Sequence, residues 1–301
     1  AGQGEAKVQD NNRQTGKNMT SNICIAGLGL IGGSLARGLR FNGFAGKIIG
    51  VDANPHHCTI AMYRGLADEF LPLDEAVEKS DIIILCAPVD ANCRLLPGIL
   101  DMIAGTGKVV TDMGSTKADI SAVAERHSAR GRYVAAHPMA GTEHSGPAAA
   151  LDTLFADRIA IICDPEKSDE DALEKVTALL QSFNMKIQYM DSREHDVHVA
   201  YVSHISHITS FALALCVLDK EKDARNIMSL AAGGFESTVR LSKSNAETWA
   251  PIFTGNSGPI LEVIDTYIEK MRLFRQHIQN GDGEELRKLM RSANQIGNIL
   301  K

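Results

Sequence analysis

The sequence predicts an α/β protein in which a doubly wound, mostly parallel sheet occupies residues 21–190 and an all-helical second half occupies residues 191–301. Three observations carry that expectation. The apolar run Ile23-Cys24-Ile25-Ala26 leads directly into Gly27-Leu28-Gly29-Leu30-Ile31-Gly32, and residues 34–40 continue as an amphipathic helix. Further apolar, strand-like runs alternate with helix-period stretches as far as Met190, the pattern of parallel strands joined by crossover helices. Beyond Asp191 strand-like runs cease and only helical periodicity continues.

Taken in order, the glycine-rich turn is followed by a second strand-like run at 47–52. Residues 55–64 read as a short helix with Pro55 near its start, where a missing N–H costs nothing. Residues 73–79 form another. The unbroken apolar run at 82–87 suits a strand buried on both faces, and Pro88 ends it. A helix at 91–104, a strand at 108–112 and a helix opening at Gly114-Ser115-Thr116-Lys117 and running to about 127 come next. Residues 133–136 read as a strand and 137–147 as a loop; strands at 158–163 and 185–190 enclose a helix at 169–183. In the second half, helical periods cover 192–218, 223–230, 247–253, 259–280 and 283–300, and Gly233-Gly234 opens a short polar helix through Arg240. Apolar helices in such numbers need a partner surface, so a homodimer is expected.

The glycine pattern carries chemistry because of its setting. G-x-G-x-x-G between a strand and a helix is the dinucleotide-binding turn of Rossmann-type domains. Gly27 allows the tight turn, Gly29 lets the backbone approach a pyrophosphate, and Gly32 lets the helix pack close to the strand. Free N–H groups at the helix start face the phosphates, so Leu28, Leu30 and Ile31 join the three glycines as expected cofactor contacts. Asp52, about 20 residues past Gly32, stands where such domains hold the ribose 2′-hydroxyl. Its carboxylate repels a 2′-phosphate, which favours NAD over NADP.

Composition bounds the rest. The chain has 301 residues, 44% hydrophobic and 23% charged, enough for a sizeable core and two domains. A net charge of −6 without a basic, aromatic-interleaved run argues against a nucleic-acid partner. No uninterrupted apolar run reaches the ~18 residues of a membrane span. None of the six cysteines forms a C-x-x-C pair, and Cys24, Cys86 and Cys163, within apolar strand-like runs, read as buried thiols in a reducing compartment, so a cytoplasmic location and no metal site are expected. Residues 1–20 are polar, lack the apolar core of a signal peptide, and read as a disordered segment.

Five further stretches are candidates for chemistry. Cys86-Ala87-Pro88 closes a parallel strand, where doubly wound sheets bind ligands; a plain strand end gives the same pattern. Ser115 and Thr116 stand at a helix start. Spacing alone favours a cap there, since Thr116 and Asp119 have the T-x-x-D form. His137 opens the loop H-P-M-A-G-T-E-H-S-G-P, where a general base can face a nicotinamide or simply lie at the surface. His204 and His207 share one helix face, suited to an anion or to a core. Arg240 offers a carboxylate clamp or a solvated charge, and Trp249, the only tryptophan, a pocket wall or core packing.

Together, and in this order, G-L-G-L-I-G-G-S-L, L-C-A-P-V, D-M-G-S-T-K, H-P-M-A-G-T-E-H-S-G, S-H-I-S-H and G-G-F-E-S-T-V-R resemble the prephenate dehydrogenases of tyrosine biosynthesis, with the related arogenate dehydrogenases. The resemblance implies an NAD-dependent oxidative decarboxylation of prephenate to 4-hydroxyphenylpyruvate, or of arogenate to tyrosine. It implies that His137 hydrogen-bonds the substrate 4-hydroxyl with Ser115 as its partner. It also implies that Arg240 grips a carboxylate, that His204 and His207 line the pocket, and that Thr142 and Glu143 lie near its mouth. Val239 and Ser237 depart from residues common in the family, Thr and Asp respectively, beside the substrate end. No mutase domain and no regulatory domain are expected, so any tyrosine inhibition is expected to act at the active site. The competing classes are a hydroxyacid dehydrogenase with a catalytic lysine in its helical domain, and a non-catalytic dinucleotide sensor.

Overall fold

A computed structural model describes residues 21–223 and 227–300; the expectation for residues 1–20 lies outside the described residues. Residues up to Asn256 form one compact unit and Ser257–Lys301 another.

The first unit is built on an eight-stranded sheet of order β3-β2-β1-β4-β5-β6-β7-β8. Its strands are β1 (Ile23–Ala26), β2 (Ile48–Val51), β3 (Glu69–Phe70), β4 (Ile82–Leu85), β5 (Val109–Asp112), β6 (Tyr133–Pro138), β7 (Ile159–Cys163) and β8 (Lys186–Met190). β1 to β6 are mutually parallel in the dinucleotide-binding order; β7 joins β6 antiparallel, and β8 follows β7 in parallel. The helices are α1 (Leu30–Phe41), α2 (Pro55–Tyr63), α3 (Leu73–Lys79), α4 (Val89–Ile103), α5 (Ala118–Glu125) and α6 (Glu170–Gln181).

Period-2 alternation sorts the strands' side chains onto two faces, both covered. Ile23, Ile25, Ile82 and Ile84 join Leu35 and Leu39 of α1 and Val176 and Leu180 of α6. Cys24, Ala26, Ile83 and Leu85 join Val77 of α3, Leu96 and Ile99 of α4 and Ile120 of α5. These unbroken apolar strands made the sheet legible. β3 escaped the sequence reading because two residues, Glu69 and Phe70, carry no period. His137 and Pro138 belong to β6 rather than to the loop, because pairing with β7 extends the strand through Pro138.

The helical part continues with α7 (Ser192–Val199), a π turn (Ala200–His204), α8 (Ile205–Asp223), α9 (Gly233–Val239) and α10 (Ala246–Gly255). Of the helix expected at 223–230, the described residues show only a 3-10 turn, Met228–Leu230. The second unit is a hairpin of α11 (Ser257–Asn280) and α12 (Gly283–Asn294), turned at Gly281 with φ +71°.

One expectation needs correcting. The continuous helical stretch Ser192–Lys222 has 31 residues, and an 18-residue window within it has mean hydropathy 1.5, long and apolar enough to cross a membrane by length and composition. Counting uninterrupted runs missed it because Ser, Thr and His punctuate its apolar residues. Several of these polar groups are bound within the unit: Ser210 Oγ donates to the Thr238 carbonyl and His204 meets Asn256.

Candidate active site

Every residue considered below lies in the first unit. The turn between β1 and α1 has the build of an anion cradle. Gly27 has φ +101°, and a Cβ there would lie 2.6 Å from the Ala87 nitrogen and the Cys86 carbonyl carbon. At Gly32 a Cβ would meet the Gly27 oxygen at 1.9 Å, so only glycine lets α1 pack this close. At Gly29 a Cβ would meet nothing within 4 Å, leaving the approach open. α1 starts without a side-chain cap or an acid in its first turn, so its N–H groups remain for an anion. The turn touches Cys86 and Ala87 between β1 and β4, where the strand order reverses and ligands bind. Pro88 precedes the first residue of α4.

Asp52 follows β2 and ties it to this turn. Its Oδ2 accepts the Leu28 N–H at 2.8 Å and its Oδ1 the Asn54 N–H at 2.8 Å, while His57 Nδ1 lies 3.3 Å from Oδ2. A carboxylate has about four acceptor sites, so capacity for a hydroxyl remains. This donor and acceptor set fits a dinucleotide: backbone N–H groups for the pyrophosphate and an acid for the ribose.

Past the ends of β5 and β6 the chemistry changes. Asp112 pairs with Ala135, so His137 extends two residues beyond the last β5–β6 pair, at the carboxyl edge of the sheet; Gly114 and Ser115 follow β5 at the same edge. His137 Nδ1 lies 2.8 Å from Nε2 of His195, their rings edge to face, and His195 Nδ1 lies 2.8 Å from Asp196 Oδ1. His195 is fully buried. Asp196 also accepts the Lys117 N–H on Oδ1 at 2.7 Å and the Ala118 N–H on Oδ2 at 2.8 Å. It therefore caps α5 from across the structure. Thr116, the cap expected from spacing, leaves its hydroxyl buried without a partner. Ser115 is part exposed, and none of its side-chain contacts enters a cap.

Beneath Ser115 lies a wholly buried ion pair. Lys117 Nζ donates to Asp112 Oδ2, and Asp112 also accepts from the Tyr133 hydroxyl at 2.7 Å and the Gly114 N–H at 2.8 Å. Such a pair persists only because its remaining hydrogen bonds are made. Burial and the neighbouring acid push the Tyr133 phenol well above its usual range, so it stays a donor. Burial, with the nearby His195, Lys117 and His204, holds His137 well below the ordinary histidine value. His137 is thus neutral at physiological pH.

The helical side supplies the remaining candidates. The π turn before α8 carries His204, which is buried; Asn256 Nδ2 sits 3.2 Å from its Nδ1 and 2.7 Å from the Asp196 carbonyl. The amide can only donate, so neutral His204 carries its proton on Nε2. Desolvation lowers it to about 4. His207 stacks on Trp249 with centroids 3.4 Å apart, and its Nδ1 faces the Ser203 carbonyl at 3.1 Å. Burial lowers its pKa too, and Arg240 adds to the effect. Arg240, half exposed, is paired with Glu143 at 2.9 Å, and Asn245 reaches Ser145 at 3.3 Å; both tie the 139–147 loop to the helices.

The sequence-predicted residues thus fall into groups. Gly27, Gly29, Gly32, Cys86 and Ala87 gather at the turn with Asp52. His137 and His204 are close enough to influence each other, and His207 lies within the influence of Arg240. Glu143 faces Arg240 directly. Thr142 is exposed and its hydroxyl accepts the His144 N–H at 3.2 Å, so it turns into its own loop. Among the described residues no group of three or more His, Cys, Asp or Glu is arranged to hold a metal ion. Sequence reasoning missed His195, Asp196 and Asn256. The His-Asp doublet one turn into a helix was the available signal for the first two; Asn256 gave none.

Comparison with known proteins gives the family. Residues 35–189 match the nucleotide-binding domain of prephenate dehydrogenase and residues 191–292 its dimerization domain. The prephenate dehydrogenase of Bacillus subtilis is 30% identical over 280 residues, covering 91% of this chain and 75% of that protein. The chain belongs to the prephenate dehydrogenase family. Two solved members of this group superpose closely. Prephenate dehydrogenase from A. aeolicus, in complex with hydroxyphenyl propionate and NAD+, has a TM-score of 0.81 at 28% identity, covering 94% of this chain and 99% of that one. Synechocystis arogenate dehydrogenase has a TM-score of 0.71 at 29% identity, covering 93% and 100%. The family's fold, a Rossmann-type sheet followed by helices, is the one observed here, and the chain is an oxidoreductase.

Proposed function

We propose that this chain catalyses the NAD-dependent oxidative decarboxylation of prephenate to 4-hydroxyphenylpyruvate, as a cytoplasmic homodimer. The single observation that carries the reading is a neutral His137 at the carboxyl edge of the sheet, with one ring nitrogen engaged by His195. The uncapped start of α1 supports a dinucleotide, and the acid at Asp52 supports NAD over NADP. Bound there, NAD supplies the hydride acceptor.

The chain's own residues do the rest. His137 Nε2 accepts the hydrogen bond of the substrate 4-hydroxyl, with Ser115 at the same oxygen. As carbonyl character develops at C4, His137 takes up proton density. As the ring carboxylate leaves as CO2 and the ring becomes aromatic, electrons return to that oxygen and the proton goes back to the phenol. The dianion of prephenate and NAD+ give the 4-hydroxyphenylpyruvate anion, CO2 and NADH, so no proton is lost overall. His204, a donor through Nε2, and Arg240 hold carboxylates; Arg240 keeps guanidinium donors beyond the one given to Glu143. His207 lines the pocket, and Thr142 and Glu143 lie near its mouth, Glu143 holding Arg240.

The homodimer reading rests on the dimerization domain at 191–292 and on the exposed apolar residues of α8, among them Leu215 and Leu218. A second copy of the chain, rather than a bilayer, covers them in this reading.

A second substrate has one observation in its favour. With Nδ1 toward the Ser203 carbonyl, neutral His207 offers an acceptor on Nε2, which suits the ammonium of arogenate better than a carboxylate. Initial rates with prephenate and arogenate, each with NAD and NADP, decide between them. Faster turnover of prephenate with NAD is expected; a preference for arogenate transfers the assignment to that substrate.

A further inference from the structure

We propose that His195 is a positioning residue that, held by Asp196, fixes the proton of His137 on Nδ1 and leaves Nε2 bare toward the substrate. The inference deepens the function proposed above and rests on it for the identity of the reacting hydroxyl.

The direction of the chain follows from which groups can donate. Asp196 already accepts two backbone N–H groups at the start of α5, from Lys117 and Ala118. Both its oxygens thus act as acceptors, and a carboxylate only accepts. The proton between Asp196 Oδ1 and His195 Nδ1, 2.8 Å apart, therefore belongs to His195. Neutral His195 then has a lone pair on Nε2. The contact of 2.8 Å between that nitrogen and His137 Nδ1 requires a proton, and His137 must supply it. Neutral His137 has one proton, so its Nε2 is an acceptor. Among the described residues no hydrogen bond is made to that Nε2, and the ring is only part buried.

Three separate elements build this arrangement: β6 provides His137, α7 provides His195 and Asp196, and the start of α5 anchors the carboxylate. Asp196 has a structural reason to be where it is, since it caps α5. His195 has none of its own: it is fully buried, and its two ring nitrogens meet only Asp196 and His137 in the hydrogen bonds described. Burying an imidazole is costly unless both nitrogens are satisfied, and these two partners satisfy them. The adjacent cation of Lys117 opposes a second proton on His137 and works in the same direction. The opposite polarity is set at His204, where Asn256 donates to Nδ1 and leaves Nε2 as a donor. One histidine is thus fixed to accept from a hydroxyl and the other to donate to an anion. A wrong tautomer at an otherwise intact histidine costs other enzymes about 10⁴-fold in kcat, and loss of an orienting partner ~10–100-fold.

The test uses the full chain with two variants and one spectroscopic readout. His195→Phe removes the acceptor for His137 while keeping an aromatic ring; His195→Gln keeps an acceptor. With prephenate and NAD, His195→Phe is expected to lower kcat by about 10²-fold with KM changed less than about twofold. His195→Gln is expected to regain at least tenfold of that loss. Histidine-selective ¹⁵N NMR of the wild-type protein without substrate is expected to show His137 protonated at Nδ1 and bare at Nε2 near neutral pH. A wild-type kcat in His195→Phe, or a wild-type His137 carrying its proton on Nε2, overturns the proposal. If His195→Phe does not fold, the wild-type ¹⁵N result decides alone. Absence of turnover by the wild type, together with the expected ¹⁵N signature, instead rejects the proposed substrate and leaves the tautomer assignment standing.

Discussion

His137, His204 and Arg240 have different environments, and each therefore makes a different prediction. His137 acts at the reacting oxygen, so His137→Asn is expected to lower kcat by ~10²–10⁴-fold, the range supplied by general acid–base groups, with little change in KM; steady-state kinetics check this. Arg240 is half exposed and shared with Glu143, so its contribution is to binding. Arg240→Gln is expected to raise KM roughly tenfold, about 1.4 kcal/mol, with kcat nearly kept. His204 titrates near 6.5 when unfolded and at about 4 when folded. Between those values the unfolded chain binds more protons, so stability is complete above about pH 6.5 and falls as pH drops toward 4. Thermal unfolding followed across that window is expected to show a declining Tm, and His204→Asn to lose part of the slope. At this scale the sequence disclosed residue types but not partners. His137, Ser115 and Arg240 could be picked out by motif, whereas His195 lies 58 positions from His137 and only the fold joins them.

Among the elements, the glycine turn and the buried ion pair carry the sharpest tests. Gly29 has room for a methyl group and Gly27 does not. Gly29→Ala is expected to keep the wild-type Tm but weaken NAD binding roughly tenfold, which calorimetric titration measures. Gly27→Ala is expected to lose stability as well, because its φ of +101° and the backbone 2.6 Å from the new Cβ both oppose it. Lys117→Met leaves Asp112 buried without its cation and is expected to cost about 3–5 kcal/mol, read by denaturant unfolding. The strands were legible because burial on both faces makes each an unbroken apolar run, as Ile82–Leu85 shows. The cap of α5 was misread because local spacing cannot reveal a carboxylate arriving from another helix. Asp196 takes the place that Thr116 seemed to hold.

For the whole molecule, the doubly wound sheet followed by helices was readable from the order of patterns alone. The helical half was readable as helices but not in its packing, since α8 and the π turn before it bury Ser210 and His204 while leaving Leu215 and Leu218 exposed. That distribution is the one expected if a second copy completes the fold, and sedimentation equilibrium is expected to give twice the chain mass of 32.5 kDa. The order of the sheet brings the glycine turn, Ser115 and His137 to one edge, and that convergence is what makes the chain an enzyme candidate for a substrate bearing a hydroxyl and two carboxylates. The most direct measurement is the stoichiometry of the purified wild-type protein acting on prephenate with NAD. The account predicts one NADH and one CO2 formed for each prephenate consumed, with 4-hydroxyphenylpyruvate as the product. Failure to reduce NAD with either prephenate or arogenate, or NADH formed without CO2, would contradict it.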